Sequence, residues 1–324
     1  MKLLDKKDRL ILYHLDINSR QPYSQIAKKV SLSKNSVRLR IKDLERKQII
    51  KGYYIYIDNY RLGYQAIRVH YTFQNTTPEI EQAIIDFLVH NKYTFLIARA
   101  YGAYNLSVIF AVKNIHDFYR LWKEINDSFG TYFKDRKISH YLKEYHFHLS
   151  YLLPNEQQSL NEREYEICGG GEIIEIDQLD YQILQFLSTN ARIPLIDLST
   201  KLDKSTQTLS YRINRLSKIG VIKRFGVLLN LSKIGYKSYK AYIQLNDFSK
   251  KSEILKYVMK NKNISFIDFT IGKYDIELDY HFKDDAEFYI TLGDITKTFP
   301  NAIRAYTSVT IPYLHKERLL PESI

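Results

Sequence analysis

The chain has 324 residues, 45% of them hydrophobic, and a formal net charge of +12, so it can form two or more domains with their own cores. Its pI near 9.3 favours an acidic partner, such as nucleic acid or an anionic surface. The single cysteine excludes an intrachain disulfide framework, and the lack of a signal-peptide core or a long apolar stretch leads us to expect a cytoplasmic protein with no membrane association.

The positive charge is concentrated in two segments of similar length. Residues 1–57 contain nine Lys and five Arg against five acidic residues, a net charge of +9. Residues 177–230 contain four Lys and four Arg against four Asp, a net charge of +4. The rest of the chain is close to neutral.

The first basic segment has the pattern of three helices. Asp5 is suited to cap a first helix. A second helix is predicted for residues 22–30, because proline is tolerated in a first helical turn. After a tight turn, Ser33 is suited to cap a third helix that runs to Leu44. Three helices with so short a second connection predict a helix-turn-helix.

The third helix is amphipathic, because Val37, Ile41 and Leu44 form one apolar stripe. Its other face is basic and amide-rich. Such a face suits the major groove of DNA, where Arg and Lys pair with guanine and Asn or Gln with adenine. The alternative is a surface helix with solvated charges. Residues 49–57 are predicted to form a strand pair with a turn at Gly52, a candidate wing.

After Gly63 the pattern changes to that of a second domain. Strands are predicted at residues 64–73, 94–100, 104–112 and 138–153, and helices at 78–91 and 116–129. The order β-α-β-β-α-β is that of the ferredoxin-like split βαβ fold.

Residues 154–175 break this pattern. They are polar and acidic, and Gly169-Gly170-Gly171 lies near their end, so we predict a flexible linker at a domain boundary. Cys168 falls in this linker without a nearby set of metal ligands, and we interpret it as an incidental thiol.

The sequence then starts again. Asp5, Pro22, Ser33 and Arg40 recur 172 residues later as Asp177, Pro194, Ser205 and Arg212. Gly102-Ala-Tyr-Asn105 recurs 170 residues later as Gly272-Lys-Tyr-Asp275. A repeat of this length indicates a duplicated two-domain unit.

The predicted fold class is therefore α+β, with two tandem copies of a winged helix-turn-helix followed by a ferredoxin-like domain. The first copy is assigned to residues 1–60 and 61–153, the linker to 154–175, and the second copy to 176–232 and 233–324.

These positions resemble the Lrp/AsnC (feast/famine) transcription regulators. The motifs are Asp5-x-x-Asp8-x-x-x-Leu12, Asn18-x-Arg20, Ser33-x-x-Ser36-Val37-x-x-Arg40-Ile41-x-x-Leu44 and Ile49-Ile50-Lys51-Gly52. The second copy carries the same set, so the resemblance covers the whole chain apart from the linker. It implies a regulator that binds double-stranded DNA and responds to a small-molecule effector, often an amino acid.

Members of that family usually carry one such unit per chain. Two units in one chain imply a covalent pseudo-dimer of the sheet domains, and the resemblance implies association of such chains into homo-oligomers. No cofactor other than an effector is expected, and no metal site or catalytic residue is predicted.

The candidate DNA-binding residues lie at the start and on the outer face of the third helix of each copy. They are Lys34, Asn35, Ser36, Arg38, Arg40 and Lys42 in the first copy and Lys204, Thr206, Gln207, Thr208, Ser210, Arg212 and Arg215 in the second. Arg38 is replaced by Ser210 and Lys42 by Asn214, so we expect the first copy to supply more of the affinity. Arg40 and Arg212 either contact phosphate or form a structural ion pair.

The resemblance also implies an effector-binding turn in each sheet domain. Its residues are Gly102, Tyr104 and Asn105 in the first copy and Gly272, Tyr274 and Asp275 in the second. A carboxylate pairs with the ammonium group of an amino acid better than an amide does, so Asp275 favours the second site.

Two further readings concern metals and catalysis. His146 and His148, with His140 nearby, have strand spacing for a metal pair, but no other ligand completes a set, so we interpret them as histidines on a solvent face. Siroheme decarboxylases resemble this family in architecture, and Tyr104-Asn105-Leu106 is similar to their sheet turn. The basic third helix favours a DNA reader, so no enzymatic activity is expected.

Overall fold

The computed structural model describes residues 4–153 and 163–321, which form two compact units. The helical unit holds the described residues of 1–58, 147–166 and 174–236. The sheet unit holds residues 59–146 and 167–173 and the described residues of 237–324. Each unit therefore combines corresponding segments of both sequence copies. Among the described helices, none has the length and apolar composition that crossing a bilayer requires.

The elements follow the duplicated order of the sequence. The α-helices are α1 (Lys6–Ile17), α2 (Tyr23–Val30), α3 (Lys34–Arg46), α4 (Pro78–His90), α5 (Ile115–Phe129), α6 (Gln178–Thr189), α7 (Leu195–Leu202), α8 (Thr206–Lys218), α9 (Lys251–Val258) and α10 (Asp285–Thr298). The strands are β1 (Ile50–Ile57), β2 (Gln65–Phe73), β3 (Thr94–Arg99), β4 (Tyr101–Gly102), β5 (Leu106–Val112), β6 (Phe133–Phe147), β7 (Tyr165–Cys168), β8 (Ile222–Leu229), β9 (Lys237–Leu245), β10 (Ile264–Gly272), β11 (Ile276–Phe282), β12 (Ile303–Ile311) and β13 (Leu314–Glu317).

Side-chain caps start the first and third helices of both helix-turn-helix copies, as predicted. Asp5 and Ser33 each accept a backbone N–H three residues further on, at 2.8 and 3.0 Å, and Ser205 does the same for α8 at 3.1 Å. The turns before α3 and α8 pass through Ser31 and Asp203, with φ of 53° and 51° in the left-handed region. This backbone makes the second connection of each copy short.

Strand β1 does not form the local strand pair that the sequence predicts. It pairs antiparallel with β8 of the second copy, with Tyr54 opposite Gly226. The backbone N–H of Ser19 bonds to Phe225 O at 2.7 Å, and the equivalent N–H of Ala191 bonds to Tyr53 O at 3.0 Å. The predicted wing with a turn at Gly52 is therefore wrong, because its strand partner lies about 170 residues away.

The sheet unit confirms the predicted β-α-β-β-α-β order in both copies. Its strand order is β13-β3-β5-β2-β6-β10-β11-β9-β12-β4, with β7 paired to β6. The copies therefore join at three places, β13 to β3, β6 to β10 and β4 to β12. In the first copy, α4 and α5 cover one face of the sheet over a core that includes Ile67, Val69 and Phe110. The opposite, inner face carries Arg68 and His70, and inner-face side chains of the two copies contact each other.

The predicted linker contains ordered structure where it is described. Residues 165–168 form β7, and Cys168 is buried within the chain instead of lying in a flexible segment. The φ angles of Gly169, Gly170 and Gly171 are all positive, so these glycines form a sharp change of direction after the strand. Residues 154–162 of the predicted linker lie outside the described residues.

Candidate nucleic-acid interface

The helix α3, which we call the first reader, is anchored by one face and presents the other. Val37, Ile41 and Leu44 are almost fully buried against the rest of the helical unit. Lys34, Asn35, Arg38 and Lys42 are exposed, and Ser36 is half-buried. Because the buried stripe fixes the rotation of the helix, the exposed side chains form one outward basic face.

Hydrogen bonds organise the outward face of the first reader. Arg38 donates to Asn35 Oδ1 at 2.9 Å, so the guanidinium and the amide lie side by side. Asp43, which weakens the basic run, is paired with Arg46 and Lys47 toward the end of the helix. These exposed pairs add little to stability, but they leave the acidic charge at the far end of the face.

Three predicted DNA contacts, Arg40, Arg212 and Arg215, lie in ion pairs within the two helix-turn-helix copies. Arg40 Nη1 lies 2.7 Å from carboxylate oxygens of both Asp5 and Asp8. Arg212 pairs in the same way with Asp177 and Asp180, and Arg215 with Asp180 at 2.8 Å. The arginines therefore tie the third helix of each copy to the first, which is the structural alternative that the sequence left open.

The helix α8, which we call the second reader, has a more neutral outward face. Gln207 and Asn214 are exposed, as is Lys204 just before the helix. Thr206 donates to Gln207 at 3.3 Å, and Thr208 shares a 2.9 Å hydroxyl contact with the capping Ser205. Ser210 is half-buried.

Both readers expose an apolar side chain that the sequence analysis missed. Leu39 and Tyr211 occupy equivalent positions, four residues after Asn35 and Gln207, and are 54% and 67% exposed. They could have been found from the sequence, because each is an apolar residue that does not belong to the buried stripe of its amphipathic helix. Such side chains can contact the methyl group of thymine.

Contacts across the strand pair hold the two readers in one unit. Arg20 donates to the carbonyl oxygens of Ala191 and Ile193 at 2.7 and 3.2 Å. Its counterpart Arg192 instead packs over the rings of Tyr23 and Tyr53, at 4.8 and 5.1 Å from their centroids. Burial lowers the pKa of Arg20, and Arg192 adds to the shift. The two ends of the β1–β8 strand pair therefore have equivalent backbone hydrogen bonds, but the equivalent arginines Arg20 and Arg192 make different side-chain contacts.

The turns predicted to bind an effector are parts of the sheet framework. Gly102 and Gly272 have φ of 128° and 137° and lie against strands of the other copy. Tyr104 and Tyr274 are buried, and their hydroxyl groups contact each other. The structure therefore brings the tyrosines of both turns together.

The last residue of each turn supports a neighbouring strand. Asn105 Oδ1 accepts the N–H of Phe73 at 2.8 Å, and Asp275 Oδ2 accepts the equivalent N–H of Leu245 at 2.7 Å. An amide and a carboxylate therefore serve equally well for this bond. What distinguishes the second turn is its negative charge.

The interpretation of His146 and His148 as solvent-facing is wrong. Both side chains are buried, His146 stacked on Phe266 with centroids 4.0 Å apart. His148 lies against Asp16, with Nδ1 at 3.4 Å from the carboxylate. Among the described residues, no group of three or more His, Cys, Asp or Glu side chains has the arrangement of a metal site.

Comparisons with known proteins match both copies. The profile of the AsnC-type helix-turn-helix domain matches residues 4–45, and that of winged helix-turn-helix DNA-binding domains matches residues 176–223. The chain is 42% identical over 77 residues to the HTH-type transcriptional regulator LrpA of Pyrococcus horikoshii, covering 24% of this chain and 53% of LrpA, about half its length. It is 35% identical over 104 residues to an uncharacterized HTH-type transcriptional regulator of Pyrococcus furiosus, covering 32% of this chain and 70% of that protein.

A solved structure matches almost the whole chain. The siroheme decarboxylase NirDL superposes with a TM-score of 0.64 at 14% identity, covering 97% of this chain and 93% of that one. At this level of identity the likeness shows the fold alone, here an arrangement that spans both copies.

Proposed function

Because this chain belongs to the Lrp/AsnC family of helix-turn-helix transcriptional regulators, we propose that it regulates transcription by binding a specific site in double-stranded DNA. The outward basic face of the first reader is the main support. Lys34, Arg38 and Lys42 are exposed on a helix whose other face is buried, so they can reach a duplex without unfolding. Each neutralised phosphate releases counterions, so binding should weaken steeply with salt.

We further propose that the two readers recognise different half-sites. Arg38 and Lys42 of the first reader suit guanine or phosphate, whereas Gln207 and Asn214 of the second reader suit adenine. The test is selection of binding sites from random duplex DNA with the purified chain. A site with one G-containing half and one A·T-rich half supports the proposal, and a perfect palindrome contradicts it.

Removing Arg38 should weaken DNA binding far more than removing its counterpart Ser210. Arg38→Ala is expected to cost about 1–3 kcal/mol and to reduce the salt slope by about 1 if the contact is to phosphate. Ser210→Ala should cost well under 1 kcal/mol, since a half-buried hydroxyl is the group lost. The measurement is band-shift titration of the selected duplex at several salt concentrations.

The matched control for this comparison is Lys123→Ala. Lys123 is an exposed cation of α5 in the sheet unit, so its removal changes the net charge by the same amount outside the helical unit that carries the readers. Equal losses from Arg38→Ala and Ser210→Ala would reject the unequal readers, and an equal loss from Lys123→Ala would reject a local role for Arg38.

We also propose that a small molecule, with an amino acid as the first candidate, modulates DNA binding through the turn that ends at Asp275. The negative charge of this half-buried residue supports the proposal. Asp275→Asn keeps an acceptor for the Leu245 N–H, as Asn105 shows in the first copy. We therefore expect the variant to bind DNA normally and to lose its response to amino acids by tenfold or more.

The response is measured by titrating a mixture of amino acids into the preformed protein–DNA complex. Asn105→Asp, which adds a carboxylate to the first turn, serves as the matched variant and is expected to retain the response. An unchanged response in Asp275→Asn would remove that carboxylate from the effector site.

A second candidate function is that of a siroheme decarboxylase-like enzyme. The observation in its favour is the fold shared with NirDL over 97% of the chain. The family membership and the outward basic face of α3 support the regulator better, because exposed cations on such a helix suit the phosphates and guanines of duplex DNA. Release of carbon dioxide from added siroheme by the purified chain would favour the enzyme.

A further inference from the structure

A network of buried charges lies between the inner sheet faces of the two copies in the sheet unit. Arg68 and Lys240 are its cations, with side chains 7% and 0% exposed. Glu277 and Asp268 are buried carboxylates, and Asp279 lies at the edge, 2.5 Å from Lys240. Charges so deeply buried persist only when each has a partner of opposite sign.

Glu277 joins the cations of the two copies. Its Oε2 lies 3.2 Å from Arg68 Nη1 and 3.2 Å from Lys240 Nζ, and it accepts the Tyr141 hydroxyl at 2.5 Å. Lys240 also contacts Asp268 at 2.8 Å. Burial favours a raised pKa for Glu277, but Lys240 and Arg68 outweigh it and hold the pKa below its usual range. Glu277 is therefore ionised within the network.

The network is divided unequally between the copies. Its cations are equivalent, since Arg68 and Lys240 are separated by the repeat of 172 residues. All three carboxylates belong to the second copy. With the offset of 170 residues, they correspond to Ala98, Ser107 and Ile109 in the first copy. The first copy thus contributes one cation and none of the three carboxylates that contact the two cations; its Glu144 lies opposite Asp268 in the β6–β10 pair and accepts the Tyr60 hydroxyl. The second copy contributes three acids and one cation.

We propose that this division of charge makes the inner face of the first copy specific for the inner face of a second copy. Two first-copy faces would bury two Arg68 side chains without the carboxylate that Glu277 supplies. His70 on the same face cannot supply the missing negative charge, because an imidazole is either neutral or positive. Burial lowers the pKa of His70 and so favours its neutral form. An unpaired buried charge disfavours an assembly on the order of 100-fold or more. Two second-copy faces would bring together six acidic side chains, four of them buried, against two lysines.

The partner of each first-copy face is therefore the acid-bearing face, supplied by the same chain or by another copy of it. A homodimer of single units must use identical faces, so this specificity is available only after the duplicated copies have diverged.

The experiment uses the full chain with a protease recognition sequence inserted between residues 153 and 163 and cut after folding. Two cut samples with different isotope labels are mixed, allowed to exchange partners in mild denaturant, and returned to native buffer. Native mass spectrometry then counts pairs of N-terminal with C-terminal fragments and pairs of like fragments. We expect like pairs to be at least about 100-fold rarer than mixed pairs. Comparable numbers would overturn the proposal.

Ser107→Glu gives the first copy the acid that the second copy has at Glu277. Two first-copy faces can then pair the introduced carboxylates with their Arg68 side chains, so N-terminal like pairs should increase at least tenfold. Arg68→Met is a second route, because it removes the unpaired charge while Glu277 keeps Lys240 and Tyr141. If neither variant increases like pairs, the charges do not set the pairing.

Glu81→Gln is the matched control. It breaks the 2.6 Å pair of Glu81 with Arg99, which lies within the first copy. The distribution of pairs should not change, and a change as large as that of Ser107→Glu would show that any lost ion pair alters partner choice.

Discussion

Replacing Arg224 with methionine is expected to lower the free energy of unfolding by about 3–5 kcal/mol, because it leaves buried acids without their cation. Arg224 and Asp16 are each 1% exposed and lie 3.3 Å apart, and Arg224 also bonds to His148 Nδ1 at 2.7 Å. Glu166, from β7, lies 3.6 Å from the same guanidinium. The cluster joins α1 and the segment after β6 to β8 of the second copy.

The loss from Arg224→Met should depend on pH. Burial raises the pKa of Glu166, while Arg224 and His148 oppose the rise, so the substitution should raise that pKa further. A carboxyl with a raised pKa in the folded state stabilises the fold below its unfolded pKa and loses that contribution as pH rises through the folded pKa. The variant should therefore be closest to the parent protein near pH 4.5 and furthest from it at neutral pH and above.

Urea unfolding followed by far-UV circular dichroism, at pH 5 and pH 8, gives the free energies. Arg46→Met is the matched control, because Arg46 is 78% exposed in its pair with Asp43 and should contribute under 1 kcal/mol. A loss equal to that control, or a larger loss at pH 5 than at pH 8, would contradict the role assigned to the cluster.

Gly272→Ala is expected to destabilise the sheet unit by about 2–6 kcal/mol, the sum of backbone strain and steric overlap. Its φ is 137°, and an added Cβ would lie 2.3 Å from the carbonyl oxygen of Ile138. That carbonyl belongs to β6, next to the residue paired with Gly272. The substitution should therefore open the junction of β6 and β10, visible as faster hydrogen exchange in both strands.

Substitutions of two other glycines in the same unit separate the contribution of steric overlap from that of backbone strain. Gly102→Ala meets Ser308 O at 2.8 Å and should cost less than Gly272→Ala. Gly63→Ala, at φ 81° with its nearest neighbour at 3.7 Å, carries backbone strain alone and should cost about 1–3 kcal/mol. If the losses do not fall in the order Gly272, Gly102, Gly63, steric overlap is not the main cause of the destabilisation.

Local sequence signals predicted those parts of the fold that depend on neighbouring residues. The caps at Asp5 and Ser33, the tight turns and the apolar stripe of α3 all involve residues a few positions apart. The offset of 172 residues extended those predictions to the second helix-turn-helix. The outward positions of Lys34, Arg38 and Lys42 followed from the same helical spacing.

The errors concern contacts between distant segments. The β-branched and aromatic residues of 49–57 indicate a strand, but pairing with β8 is set by how the two copies join. Polar composition around Cys168 suggested a linker, although β6 offered a free edge to which residues 165–168 pair. His148 is polar in sequence, and its burial depends on Asp16 and Arg224, which lie far from it in the chain.

The strand pair of β1 and β8 places two readers of unlike chemistry on one covalent frame. A dimer of identical subunits has two-fold symmetry, so rotating it by 180° on its operator gives the same complex. Such a dimer has no preferred orientation along the DNA. Under the proposed recognition of unlike half-sites, the bound chain would have one direction along the duplex. The order of the half-sites in a promoter would then determine which flank of the protein faces the start of transcription.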